Sequence, residues 1–215
     1  MQQLRQSLQN GGALFMPHHA VTGMQTGKGR IEKILTGQGD FEGDLVVITG
    51  GAWLPFLSRM AGVHIPLMPG KGYSVTQFLP EKKLEIPAIL CEAKVAITPM
   101  NGYMRYGGTM EIAPVNNRIN LNRVKGILDS IPRYFPNLKV PLPPIEDIWY
   151  GFRPCSPDGL PYLGRSKKWE NLVFSGGYAM SGLSLGPASG KIVADLANEK
   201  TIPLPIAVFD PERFS

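Results

Sequence analysis

The sequence predicts an α+β fold, the end of an α/β lobe joined to a mixed, largely antiparallel sheet. Three stretches carry that reading. Leu45 to Thr49 is a continuous apolar run closed by Gly50 and Gly51, the pattern of a buried, parallel strand. Pro69 to Glu111 alternates apolar and polar residues between turn residues, as antiparallel strands do. Leu172 to Ser175 runs through Gly176 and Gly177 into a helical stretch from about Ser181 to Ala197, a strand–turn–helix unit.

The remaining elements follow in chain order. Leu4 and Leu8 among polar residues predict a short amphipathic helix stopped at Gly11 and Gly12. Ala13–Phe15, Ala20–Thr22, Arg30–Leu35 and Asp40–Asp44 read as short strands of a small meander. Gly27 with Gly29, and Gly37 with Gly39, supply its hairpin turns. A helix through Trp53 to Met60 follows the Leu45–Thr49 strand. In the second region, strands are expected at Pro69–Thr76, Ala88–Cys91, Lys94–Pro99 and Gly102–Glu111. Leu121, Val124, Ile127, Leu128 and Ile131 recur at helical spacing. They predict a helix from Asn120 to Phe135 packed on that sheet, with Pro132 and Pro136 closing it. After Pro141–Pro144, a strand from Ile145 to Phe152 leads back to the first lobe. The expected division is 1–68, 69–148 and 149–215, with the middle part a separate sheet domain.

With 215 residues, 43% of them hydrophobic, the chain can bury a sizeable core. No apolar run approaches the roughly 18 residues that span a bilayer, and Met1–Asn10 lacks the build of a signal peptide. The expected location is the cytoplasm. The net charge of +5 also admits a peripheral association with the anionic inner membrane, or an anionic substrate. Basic residues are dispersed apart from Lys82-Lys83 and Lys167-Lys168, which argues against nucleic acid as a partner. His18, His19 and His64 are too few and too far from clustered carboxylates to argue for a metal. Cys91 and Cys155 read as free thiols.

Two motifs carry chemistry. Residues 151–164 spell G-x-R-P-x-x-P-D-G-x-P-x-x-G. Arg153 in it presents a rigid fork that matches a carboxylate in bidentate fashion. An alternative is open: Arg153 paired with Asp158, or with a carbonyl, merely to pin the loop. The second motif is the strand, Gly176-Gly177 and helix, where a helix N-terminus gathers unpaired N–H groups and the positive end of the macrodipole. Tyr73, Tyr103, Arg105 and Tyr106 lie on the sheet expected to face a substrate, each with packing as its plainer explanation.

Together with Val47-Ile-Thr-Gly50-Gly51-Ala-Trp53, these motifs resemble the C-terminal part of the D-amino-acid oxidase-like family of FAD-dependent oxidoreductases, in particular D-amino-acid dehydrogenases and glycine or sarcosine oxidases. The resemblance implies FAD as cofactor and a small amino acid as substrate. It implies Arg153, with Tyr73 and Tyr106, on the substrate side. On the flavin side it implies Gly50, Gly51, Trp53, Gly177, Tyr178, Ala179, Met180, Ser181, Gly182 and Leu183. It further implies oxidation of the C–N bond of a D-amino acid or glycine-like amine by hydride transfer to the flavin, with positioning as the main source of catalysis. Gly51 and Tyr178 depart from the family pattern, which commonly has a single glycine and a histidine at these places.

A dinucleotide-binding enzyme opens with a G-x-G-x-x-G turn between strand and helix. No such turn occurs in this sequence, since Glu32 and Glu42 stand where the third small residue of the two glycine pairs belongs. Gly186–Ile192 is one residue too short for a P-loop. The expected FAD-binding lobe is therefore incomplete. An alternative follows: a non-catalytic fragment, truncated or split, that needs an N-terminal FAD-binding half or pairs as a homodimer over its exposed sheet edge.

Overall fold

In the computed structural model, residues 1–78 and 84–215 are described. Lys82 and Lys83 lie outside them. The chain is α+β, built on two cores. The first is small. Helix α1 (Gln2–Asn10) stops at Gly11, as its glycines predict, and buries no residue. Strands β1 (Val21–Gly27) and β2 (Arg30–Thr36) form an antiparallel hairpin. Lys28 and Gly29 turn it with φ of 49° and 79°, a left-handed pair whose twist suits adjacent strands. Two expected strands of this meander are absent. Ala13–Phe15 has no regular structure, and Asp40–Asp44 contributes only an isolated bridge from Phe41 to Ile34. Leu14 and Phe15 stay exposed, so no buried face holds that stretch in a strand.

Strand β3 (Val46–Ile48) is followed by a 3-10 turn (Gly51–Trp53) and helix α2 (Leu54–Met60). From the far end of the chain, β9 (Tyr162–Arg165) and β10 (Leu172–Gly176) join β3 in a mixed sheet of order β3-β10-β9, with β10 parallel to β3. The apolar run at Leu45–Thr49 foretold that parallel pair. β9 was hidden by the flanking prolines, which read as a loop. Ile48, Leu54, Ile65, Tyr162, Leu172 and Phe174 form its core. Buried Asn171 stitches the hairpin on: its side chain accepts the Ile31 N–H at 2.8 Å and donates to the Ile31 carbonyl at 2.9 Å.

The second core lies under a five-stranded antiparallel sheet of order β5-β6-β7-β4-β8. Its strands are β4 (Met68–Phe78), β5 (Ala88–Leu90), β6 (Val95–Met100), β7 (Tyr103–Ile112) and β8 (Trp149–Cys155). Helix α3 (Leu121–Tyr134) covers one face. Asn120 caps it by accepting the Arg123 N–H, and Val124, Ile127, Leu128 and Ile131 pack on Tyr73, Val75, Ile97, Met104 and Tyr106. The helix does not stop at Pro132 but continues to Tyr134. Proline there removes only the bond to the Leu128 carbonyl, while buried Ile131 holds the last turn in place. The strand expected from Ile145 begins at Trp149, because Ile145–Asp147 forms a 3-10 turn after Pro144. Helix α4 (Gly182–Ala197) closes the chain's second half. Among the described residues, no helix is long and apolar enough to cross a membrane.

Candidate functional site

The uncovered face of the five-stranded sheet carries a pocket, and its floor is made by absent side chains. Gly72 on β4 and Gly151 on β8 are register partners. A Cβ on Gly72 would stand 2.1 Å from Nη1 of Arg153, and one on Gly151 would stand 2.5 Å from the Trp149 ring. Without them, the guanidinium and the indole lie down across the strands. Ser74, Thr76, Arg105 and Gly107 complete a pocket of about 760 Å³, with Tyr73 and Phe152 also on its lining although their rings lie on the other side of the sheet.

Arg153 is half-buried there. Its one hydrogen bond runs from Nη1 to the Thr109 carbonyl at 3.4 Å. Asp158 is not its partner. That carboxylate takes Nε and Nη2 of Arg213 at 2.8 and 2.9 Å, and the hydrogen bond from Arg213 holds it down at a pKa of about 2. The loop is thus pinned from the C-terminus, leaving Arg153 free of any acidic partner among the described residues.

Thr109 owes its geometry to a bulge where β4 and β7 shift register between Lys71 and Tyr73. Its φ is 58°, which a β-branched side chain seldom tolerates, and Arg123 Nη1 donates to its hydroxyl at 2.9 Å. Thr109→Gly is expected to raise stability by about 0.5–1 kcal/mol. A urea midpoint shifted downward would instead mean that the Arg123 bond outweighs the strain.

Tyr73 and Tyr106 sit on the opposite side of the sheet, buried against α3. The Tyr73 hydroxyl donates to Glu111 at 2.8 Å and accepts the Asn120 N–H, while Tyr106 donates to Gln77 at 3.0 Å. Burial raises both phenols above their ordinary pKa. Residue parity along the strand separates these rings from Arg153, a distinction that residue type alone does not carry. Lys71, another residue missed, is buried and donates to the Asn116 carbonyl and side chain at 2.9 and 3.1 Å. Its ammonium lies 4.3 Å from the Tyr150 ring centre, so it ties the loop after β7 to β8.

A second cleft, about 350 Å³, opens at the carboxyl ends of the parallel strands β3 and β10. Thr49, Gly51, Ser175, Gly176, Gly177 and Tyr178 line one side; Gly186, Ser189, Gly190 and Val193 of α4 line the other. Of the two adjacent glycines, Gly51 faces this cleft with φ 54°, whereas Gly50 backs against Leu57. Trp53 lies outside the lining and packs edge-on to Phe152 at 6.1 Å. Tyr178 donates to or accepts from Ser175 at 2.8 Å. Ala179 has φ 46°, and its N–H is spent on the Pro154 carbonyl, as that of Ser181 is on the Tyr178 carbonyl. Gly182 and Leu183 open α4, where N–H groups have no intrahelical partner; Met180 and Leu183 are exposed. The bond from Ala179 to Pro154 sets the two clefts side by side. Arg153 faces one while Pro154, the next residue, lines the other.

The FAD dependent oxidoreductase family model matches residues 1–196. The chain belongs to this family. The family is FAD dependent, and its members include amino-acid oxidases and dehydrogenases. The chain is 30% identical over 194 residues to a D-amino-acid oxidase of Bradyrhizobium diazoefficiens, covering 90% of this chain and 46% of that protein. It is 29% identical to a D-amino acid dehydrogenase of Helicobacter pylori, covering 93% and 49%. The glycine oxidase structure from Geobacillus kaustophilus superposes with a TM-score of 0.80 at 26% identity, over 94% of this chain and 54% of that one. The chain thus spans about half the length of the curated relatives it matches.

The second cleft fits part of an FAD. Cβ atoms built on Gly51, Gly186 and Gly190 meet nothing within 4 Å, so backbone on both walls stands open to a flat ligand. The cleft opens at the carboxyl ends of the parallel strands β3 and β10, the end of open α/β sheets that receives cofactors.

Proposed function

We propose that this chain is the substrate-anchoring and flavin-edge part of an FAD-dependent oxidoreductase acting on the C–N bond of a D-amino acid or a glycine-like amine. One observation supports it above the others: a guanidinium without an acidic partner among the described residues, next in the chain to a residue that lines a glycine-lined cleft. Residues 1–68 and 149–215 supply the cofactor side and 69–148 the substrate side, with β8 shared between them.

When bound, FAD supplies the hydride acceptor. The chain's own contribution is orientation. Arg153 takes the substrate carboxylate in a two-point grip, with Trp149 as an apolar wall beside it. Fixing that end directs the α-carbon and its amine toward the neighbouring cleft. Gly51, Gly186 and Gly190 let a ring approach the backbone, and the first N–H groups of α4 favour negative charge at that end of the helix. Tyr73 and Tyr106 support the sheet from behind, and Trp53 braces Phe152.

The partner in this reading is an N-terminal FAD-binding half, or a second copy. Leu183, Met180, Phe56 and Trp53 are 88%, 73%, 58% and 54% exposed, an apolar surface that favours association. Titration of the purified chain with FAD, followed by flavin fluorescence, tests the proposal. Weak binding that tightens when a dinucleotide-binding half is added is the expected result. FAD without affinity for either form would count against the cleft as a flavin site.

A further inference from the structure

We infer that the substrate carries a second carboxylate, held by Arg105, so that the amino acid is one with an acidic side chain. This rests on Arg153 as the anchor for the first carboxylate. Arg105 lines the same pocket from β7, on the far side of β4 from Arg153. Like Arg153, it has no carboxylate partner among the described residues, and it makes no side-chain hydrogen bond there. Among the described residues, no aspartate or glutamate lines the pocket. Two guanidinium groups facing one concavity offer two positive contacts to a dianion set between them, strongest at low salt.

Spacing sets the size of the anion. Arg105 pairs with Thr76 on β4, and the Arg153 guanidinium lies over Gly72. Four residues of strand separate Gly72 from Thr76, roughly 13 Å, and one inter-strand step adds about 5 Å sideways. The straight line from the Arg153 guanidinium to the Arg105 backbone is therefore about 14 Å. The Arg105 side chain reaches into the pocket from that point, so a short diacid such as the five-carbon one spans the two forks. Between the two cations β4 offers Ser74 and Thr76, hydroxyls that can donate or accept without adding charge. Gly107, opposite Ser74, keeps the floor clear of a side chain.

Calorimetric titration of the full chain at low salt, with glutarate and with butyrate, decides the matter. Butyrate has nearly the same length and one carboxylate fewer. Glutarate is expected to bind at least tenfold more tightly. Arg105→Gln should bring glutarate down to the affinity of butyrate, and Arg153→Gln should weaken both. Equal affinity for the two acids, still dependent on Arg153, overturns the second subsite and leaves the anchor standing. A glutarate preference untouched by Arg105→Gln overturns the role of Arg105. Binding of neither acid overturns this inference together with the Arg153 anchor on which it rests.

Discussion

Arg153→Ala removes the carboxylate grip: affinity for butyrate or a small amino acid falls by about tenfold to a hundredfold, as expected for losing a two-point, charge-assisted contact. In a complete enzyme assembled with a dinucleotide-binding half, kcat/KM falls by about a hundredfold or more, because misplacement also affects the chemical step. Arg153→Lys keeps the charge and loses the fork, so it recovers only part of the binding. The physical basis is the open state of the guanidinium. Its one side-chain hydrogen bond among the described residues, to the Thr109 carbonyl, is long, and the glycine beneath it gives room to move. Calorimetry that shows wild-type affinity for both variants would remove Arg153 from the site.

Arg213→Ala unfolds the C-terminal clasp and costs about 3 kcal/mol of stability, read from the urea midpoint. Arg213 spends its guanidinium on Asp158 and on the carbonyls of Leu160, Pro161 and Asp210, and it lies 4.2 Å from the ring centre of Tyr162. Its loss leaves the half-buried Pro161 and Asp210 carbonyls without that donor and uncovers the core beneath Tyr162. The same pair makes stability depend on acid. The hydrogen bond from Arg213 lowers the Asp158 pKa from 3.8 to about 2 in the folded chain. A lowered folded-state pKa gives stability that is present above about pH 4 and lost as the pH falls toward 2. The carboxylate is about one-third exposed, so this acid-sensitive part is small beside the lost carbonyl contacts. A midpoint for Arg213→Ala as steep between pH 4 and 2 as that of the unaltered chain would assign the acid sensitivity elsewhere.

How far the sequence reached differs from one residue to another. Arg153 was legible because G-x-R-P has its own chemistry, but the choice between substrate anchor and loop pin was not. That choice turned on Arg213, 55 residues beyond Asp158, and no local pattern links the two. Gly51 and Gly177 were named as neighbours of one cofactor edge, and they do line one cleft. Their partners on α4, Gly186 and Gly190, were set aside as a failed P-loop. Their small size has meaning only where the helix passes β10. Tyr73 and Tyr106 were chosen by residue type, whereas the side of the sheet they occupy depends on pairing and on the cover of α3.

The sequence by itself determined the elements and their kind. Apolar runs, helical spacing and turn glycines act over a few residues, so the parallel strand at Leu45–Thr49, the α3 stripe and both glycine turns could be read directly. Only the tertiary structure decided which side chains meet. The register of β4 against β7 and β8, the bulge at Thr109, and the bond from Ala179 to Pro154 join residues far apart in the chain. Such pairings are fixed by shared burial, which chooses one register and one face among many that the local pattern allows equally.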